Sequence, residues 1–519
     1  MRLINRLSNF FNQRQYLLYL LVFVIAAGLF TYLQFDSTFA DPDSFYHAKM
    51  ALMLRDQGAI TEFPWLSATT LRYSFTDHHF LYHLLLIPFV TVFSPLVGLK
   101  VATILFASLA ILTFYWFLKN LKIRGALWYV LFLLTVNPFI FRLNLAKAQA
   151  LVLILFLLGL YCLFNRRYLS LILIGWLYVW LYAGWPLLLV SAIIYLIVSF
   201  IKHRRQAGWL IIKKFRTKFT RQNLFLLFSV LAGCGAGIFF NPYFPRNLYF
   251  YWQQTFKIAL VNYQSVIGVG GEWYPFSLPQ LLLSAGPFFV LFIFALVIFI
   301  YYHSRRSVPA WTFLILTLLF FALTLKSRRN VEYFVPLALI FSALTITQIL
   351  DLTEKSWLKF RSNKFFVFLP LVIFLLLSPI FSADLMSIKK SYQQGFSFEK
   401  FREPAEWLRD HTPADSIVFH GDWDEFPILF YHNDHNRYLV GLDPTFMYTH
   451  DKTLYQDWVA LATGQSNQNL YKIIKTIFGA SYVFVDINNN AAFDRNLANN
   501  FFFEKVFENS EARIYQTIE

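Results

Sequence analysis

The feature that most constrains this chain is a series of apolar stretches, each near the length a helix needs to cross a bilayer. About 20 apolar residues suffice, because a helix rises about 1.5 Å per residue across roughly 30 Å of hydrocarbon. Eleven stretches qualify: roughly 16–35, 98–118, 125–141, 148–165, 168–183, 186–201, 223–240, 279–302, 310–325, 333–350 and 365–382. Phe80–Pro95 is also apolar but carries His83 and Pro88, and it reads as an interfacial or re-entrant helix. The composition fits: 57% of residues are hydrophobic and only 14% charged, and 61 of them are Phe. A large soluble enzyme is excluded.

Charge gives orientation. The net charge of +16 invites a nucleic-acid partner, but the basic residues lie in short clusters between apolar runs and form no continuous face. Arg14, Lys119/Lys122/Arg124, Arg166/Arg167, Lys202 to Arg221, Arg305/Arg306 and Lys355 to Lys364 all fall on the N-terminal side if eleven spans hold, together with Arg2 and Arg6. By the positive-inside rule that side is cytoplasmic. The opposite side receives loops 36–79 and 241–278 and the tail. From residue 383 onward 12 Lys and Arg face 19 Asp and Glu, the reverse of the membrane part. The expected organisation is a transmembrane module over 1–382 and a soluble extracytoplasmic α/β domain over 383–519. In the tail, Phe401–His411 and Leu470–Phe478 read as helices, and Ser416–His420 and Tyr482–Asp486 as buried strands. Cys162 and Cys234 both lie in apolar runs, so no disulfide framework is implied. An exported domain without cysteine fits a prokaryotic plasma-membrane protein. The first run is too long for a signal-peptide core and reads as a retained span.

Few acids are available for chemistry. Between Asp77 and Glu272 there is no Asp or Glu. Glu272 sits in a glycine-rich outer loop, Gly268-Val-Gly-Gly-Glu272-Trp-Tyr-Pro275, where glycine allows close backbone approach. The other prominent stretch, Asp41-Pro42-Asp43-Ser44-Phe45-Tyr46-His47-Ala48-Lys49, follows the first span directly. One of its acids can cap a helix; capping does not account for both, nor for the imidazole and amine after them. Asp77-His78-His79, with His83 one turn on, is a third cluster; Asp77 with His79 or His83 could ligate a metal, or the histidines could bond headgroups. Lys326-Ser-Arg328-Arg329-Asn-Val-Glu332 lies outside against the charge rule, which suits an Arg fork on phosphate or a headgroup contact with pairing to Glu332. Gly421-Asp-Trp423-Asp424-Glu-Phe-Pro427 follows a tail strand, as a site loop or an acidic surface turn.

Together these pieces resemble the catalytic subunits of oligosaccharyltransferases, in the GT-C class of membrane glycosyltransferases. Asp43 to Lys49 is similar to that family's first-loop Asp-Pro-Tyr-Tyr-His-x-Arg run. Ser265-Val266 followed by Glu272-Trp273 resembles the loop with its Thr-Ile-x-Glu motif. Asp422 to Phe426 resembles a degenerate Trp-Trp-Asp-Tyr-Gly, keeping Trp423 and Asp424. Arg328 or Arg329 sits where the family has an Arg near the donor diphosphate. The second acidic motif is here Arg142-Leu-Asn-Leu-Ala-Lys147-Ala-Gln149, with no carboxylate.

The resemblance implies a transferase taking a glycan from a polyprenyl-(di)phosphate lipid to a protein acceptor outside the cytoplasm. Asp43, Glu272 and Asp41 would be catalytic, Arg328, Arg329 and Lys147 would bind donor phosphate, and Trp423, Asp424, Tyr46 and His47 would bind acceptor. The expected partners are the polyprenyl-linked donor, a protein or glycan acceptor and membrane lipid. Alternatives are a GT-C transferase using a polyprenyl-monophosphate monosugar on lipid, glycan or Ser/Thr, and a non-catalytic scaffold or transporter. Two arrangements are open for a divalent metal, Mn²⁺ or Mg²⁺. Asp77 and His79 could complete a shell with Asp43 and Glu272, or Lys147 could replace the ion. The second is favoured, because the loop that lacks the acids has gained a cation.

Overall fold

A computed structural model describes residues 14–206, 212–302, 307–352 and 364–518; the side chains of 203–206, 212–220, 352, 364–370 and 373 are outside that description. Arg2, Arg6, Arg305, Arg306 and the cations of 353–363, on which the orientation partly rests, also lie outside the described residues. The chain divides into two compact units. One comprises 1–36, 101–237 and 272–394; the other comprises 37–100, 238–271 and 395–519. The boundary expected at 382/383 falls inside helix Lys364–Gln393, and the division comes at Gln394/Gly395.

The first unit is helical, and each expected span is at least partly a helix. Among the described residues, five helices are long and apolar enough to cross a membrane: Gln15–Gln34, Pro95–Asn120, Arg221–Phe239, Val308–Lys326 and Arg328–Asp351. Two bent pairs raise this to seven: Ala126–Leu133 with Asn137–Leu143 at 78°, and Leu278–Ser284 with Gly286–Tyr301 at 100°. Proline follows each break, at Pro138 and Pro287. Gln149–Phe164, Tyr168–Leu181 and Pro186–Lys202 are apolar but shorter, so eleven hydropathy peaks are not eleven full-length helices. The chain is an integral membrane protein.

Hydrophobic burial does not drive helix association where the solvent is lipid, so close packing must. Helices Tyr168–Leu181 and Ile212–Phe239 meet backbone to backbone through Gly175, Gly233 and Gly237. A Cβ on Gly233 would lie 2.3 Å from the Ile172 carbonyl oxygen, and one on Gly237 2.9 Å from that of Trp176. Helix Val331–Leu352 packs against Val308–Lys326 and Gly286–Tyr301 through phenylalanines, with Phe334 edge-on to Phe288 at 5.5 Å.

The second unit gathers the tail with loops 37–100 and 238–271. Its sheet runs Arg437–Tyr438, Ile417–His420, Ala480–Asp486, Ala512–Thr517, Phe503–Glu508, with the first three strands parallel and the last two antiparallel to their neighbours. The expected helix and both expected strands are present, as Arg402–His411, Ile417–His420 and Ala480–Asp486. The expected helix 470–478 contains a π-helical turn, Lys472–Ile477. Residues 65–67 extend the sheet: Tyr438 N–H donates to the Trp65 carbonyl at 2.7 Å, and Ser67 N–H to that of Tyr438 at 2.8 Å. Thr38–Phe39 pairs with Phe396–Ser397. Helix Asp43–Gln57 packs against Phe80–Val92 and Phe426–His432.

The glycine contact is testable. Gly233→Ala should destabilise the detergent-solubilised protein by about 1–3 kcal/mol, the usual cost of overpacking. Gly235→Ala, whose Cβ meets nothing within 4 Å, should leave the thermal midpoint unchanged. Equal midpoints for the two variants would refute the contact.

Candidate functional site

In the first unit four segments converge on one cluster of two arginines and two carboxylates. Helix Asn137–Leu143 carries Arg142 at its C-terminal end, the short turn Gly271–Trp273 carries Glu272, the turn Arg328–Asn330 carries Arg329, and Val331–Leu352 carries Glu332 in its first turn. Arg142 donates from Nη1 to Glu272 Oε2, and from Nη2 and Nε to Glu332 Oε2 at 3.1 and 3.3 Å. Arg329 Nη1 is 3.5 Å from Glu272 Oε1, and its Nη2 donates to the Tyr182 hydroxyl. The same guanidinium stacks on Trp273, 4.1 Å from the ring centroid. Ser327 donates to the Glu272 carbonyl at 2.9 Å and fixes the turn.

Arg142 and Glu332 are buried, at 7% and 5% side-chain exposure, and Glu272 reaches 22%. Burial raises the Glu272 carboxyl, but Arg142, Arg329 and Lys147 outweigh it and hold it well below the usual carboxylate range. Near neutral pH Glu272 is therefore held as an anion by the cations around it. The loop behind Arg142 is anchored as well. Gln34 donates to the Asn144 carbonyl at 2.6 Å and to its side-chain oxygen at 3.1 Å, and Asn137 donates to Asp384 at 3.2 Å.

Of the expected residues, the structure thus brings Glu272 and Arg329 into contact, within the field of Lys147. Arg328 goes elsewhere: it is exposed, donates to the Pro275 carbonyl at 3.2 Å and lies over Phe276. Arg142, Glu332 and Tyr182 were not among the expected site residues. The available signal was the scarcity of acids, since Glu332 is one of only ten in residues 1–382.

The remaining candidates lie in the second unit. Asp43 opens helix Asp43–Gln57, and Asp41 Oδ1 accepts from its backbone N–H at 3.0 Å. Tyr46 and His47 follow on that helix, both buried. Burial, then Asp77, Tyr243 and Asp43, push the Tyr46 phenol well above its ordinary value, so it stays protonated. Lys49 is paired with Asp434 at 3.0 Å. Asp77 accepts from His79 N–H at 3.0 Å and bonds His83 Nδ1 at 2.6 Å. Trp423 and Asp424 are half-buried on the turn Trp423–Glu425 after strand Ile417–His420. Two of the turn's acids have structural work: Asp422 accepts from Asp424 N–H, and Glu425 accepts from Asp422 N–H, a reciprocal cap. The turn leads into Phe426–His432, the helix that packs on Asp43–Gln57.

The expected metal shell does not fit these residues. Both oxygens of Glu272 face guanidinium groups, and both oxygens of Asp77 are bonded within their own cluster. Among the described residues, no group of three His, Cys, Asp or Glu side chains could hold a metal ion.

No family model matches the chain, and no curated protein matches it in sequence. Solved structures match over nearly the whole length. The archaeal oligosaccharyltransferase AglB from Archaeoglobus fulgidus, in complex with an inhibitory peptide and a dolichol-phosphate, has a TM-score of 0.60 at 14% identity, covering 92% of this chain and 70% of that one. ArnT from Cupriavidus metallidurans, bound to undecaprenyl phosphate, has a TM-score of 0.54 at 14% identity, covering 96% and 97%. The arabinofuranosyltransferase AftD from Mycobacteria has a TM-score of 0.54 at 12% identity, covering 96% and 40%.

The ion cluster makes a stability prediction. Arg142→Ala leaves buried Glu332 and part-buried Glu272 without their shared partner and should cost about 3–5 kcal/mol. Because the folded value of Glu272 is depressed, its contribution is complete above the usual carboxylate range and is lost only as the pH falls below that range. In Arg142→Ala the folded value moves back toward the ordinary one, so the part of the acid-side loss of stability that comes from Glu272 should shrink. Thermal midpoints across an acid pH series check both statements.

Proposed function

We propose, on the premise that this chain has the fold of GT-C membrane glycosyltransferases, that it moves a glycan from a polyprenyl-(di)phosphate carrier to an acceptor outside the cytoplasm, most like an oligosaccharyltransferase acting on protein. The observation that carries this reading is the convergence of Arg142 and Arg329 on Glu272, with Lys147 adding positive charge. With Glu332 the cluster holds three cations against two carboxylates, leaving net positive charge for a phosphate. A planar guanidinium matches phosphate oxygens in a bidentate fork. Held rigidly by carboxylates and an indole face, it stabilises the charge that grows on a departing phosphate without reorganising at the moment of reaction. Two fold neighbours were solved with lipid phosphates, dolichol-phosphate on AglB and undecaprenyl phosphate on ArnT, which supports a donor of that class.

In this reading the acceptor meets Asp43, with Tyr46 and His47 beside it, and Trp423 and Asp424 read its identity. The arginines supply the positive charge, so no step passes through a divalent ion. The protein would sit in a prokaryotic plasma membrane, with its N-terminus in the cytoplasm and the tail outside.

A second reading is transfer of a single sugar from a polyprenyl monophosphate to lipid, glycan or Ser/Thr. The near-complete mutual coverage with ArnT favours it, against 70% of AglB. Trp423→Ala and Asp424→Ala separate the two: transfer to a peptide asparagine should fall at least tenfold, while transfer to a lipid acceptor should be unaffected.

The donor site has its own test. Arg329→Ala should raise the KM for the lipid-linked donor about 10- to 100-fold, for loss of a charge-assisted hydrogen bond worth roughly 1.5–3 kcal/mol. Arg328→Ala should change it little. Activity should persist in excess EDTA. Unchanged donor dependence in Arg329→Ala would remove the phosphate role.

A further inference from the structure

Three side chains of the second unit form a buried line that the donor site does not use. Asp77 Oδ2 is 2.6 Å from His83 Nδ1, and His83 Nε2 is 2.8 Å from His47 Nδ1. Their exposures are 3%, 0% and 3%. His47 lies on helix Asp43–Gln57, one turn after Asp43 and on the same face, and His83 on Phe80–Val92.

The order of these bonds fixes every tautomer. An ionised Asp77 can only accept, so His83 carries its proton on Nδ1. The Nε2 of neutral His83 is then an acceptor, so His47 must donate from Nδ1. That leaves the lone pair of neutral His47 on Nε2. A carboxylate two side chains away thus sets which nitrogen of His47 takes up a proton.

We propose that Asp77, His83 and His47 are a proton relay serving an acceptor held at Asp43. The inference rests on the glycosyltransferase reading above. As the glycan's bond to the carrier phosphate breaks, its electron pair leaves on the phosphate, and the new bond forms to the acceptor heteroatom. The acceptor's proton is taken up at the Asp43 end and passes to His47 Nε2. The Nδ1 proton of His47 moves to His83 Nε2, and the product is an imidazolium at His83 against the Asp77 carboxylate. The proton then returns along the same line and is released at the Asp43 end to water, which restores the starting state. His47 is the end that exchanges the proton; His83 and Asp77 are positioning residues that hold it. Among the described residues, the titratable groups facing this line are Asp43 and Tyr46 on the His47 helix, His79 and Tyr82, whose rings lie 5.1 and 5.2 Å from His47, and Tyr243 and Tyr251, which face Asp77. Tyr46 also faces His83, at 5.9 Å.

His83→Gln is the discriminating variant. Glutamine can accept from His47 and donate to Asp77, keeping both hydrogen bonds, but it cannot take up a proton. The full chain in lipid nanodiscs should keep its thermal midpoint, hold both KM values, and lose about 10²- to 10⁴-fold in kcat, the usual range for general acid–base assistance. The acid limb of its pH–rate profile should move to lower pH, because His47 loses the partner that shared its charge. An unchanged kcat and profile would overturn the relay. Nitrogen-15 histidine spectra of the same samples, with His47 assigned by its disappearance in His47→Gln, do not depend on activity. Both His47 and His83 should be protonated at Nδ1, and a proton on Nε2 of either at neutral pH would overturn the relay. Should the chain transfer no glycan from any polyprenyl-linked donor while both rings show Nδ1 protonation, the functional reading fails and the relay's geometry stands.

Discussion

The helical unit depends on one guanidinium. Arg142 is buried where it can be satisfied only by carboxylates, and Glu272 and Glu332 come to it from segments far apart in sequence. Moving such charges out of water is expensive, and the arrangement persists because each group compensates the others. Arg329 closes the set from a fourth segment, wedged between Glu272, Tyr182 and the face of Trp273. Glu332 lies in the first turn of its helix, where the backbone dipole also favours a negative charge.

The second unit is held by different means. Aromatic rings from loop 37–100 interleave with those of the tail: Phe63 stacks on Phe75 at 4.4 Å and lies 5.5 Å from Phe430, which in turn lies 5.1 Å from Trp65. Backbone bonds from residues 65–67 to Tyr438 and Leu439 extend the sheet with chain from the first loop. The histidines and Asp77 form a polar core beside these rings, each hydrogen-bonded to the next. Such a core holds one arrangement because any other leaves a buried polar group unsatisfied.

The helical character and the tail strands at Ile417–His420 and Ala480–Asp486 were legible in the sequence, because apolar length and β-branched runs are local patterns. What could not be read was long-range pairing. Arg142 stood in a loop noted for its missing acids, and its meeting with Glu272 spans 130 residues. The affiliation of loops 37–100 and 238–271 with the tail was hidden for the same reason, since strand extension at Tyr438 leaves no periodic trace in residues 65–67. Hydropathy overstated helix length because an apolar run stays apolar across a break. Only the prolines at 138 and 287 hinted at the bends.

The bend before Asn137 has a consequence for how this chain can vary. Arg142 sits on a seven-residue helix that starts at the break, so its direction is set by counting from Asn137. An α-helix turns about 100° per residue. One residue inserted or deleted between the break and Arg142 would swing the guanidinium about a quarter-turn away from both carboxylates, whereas many side-chain replacements there would leave it aimed. Length between Asn137 and Arg142 should thus be held more strictly than identity, and a natural relative keeping this cluster should keep that spacing even where its residues have drifted.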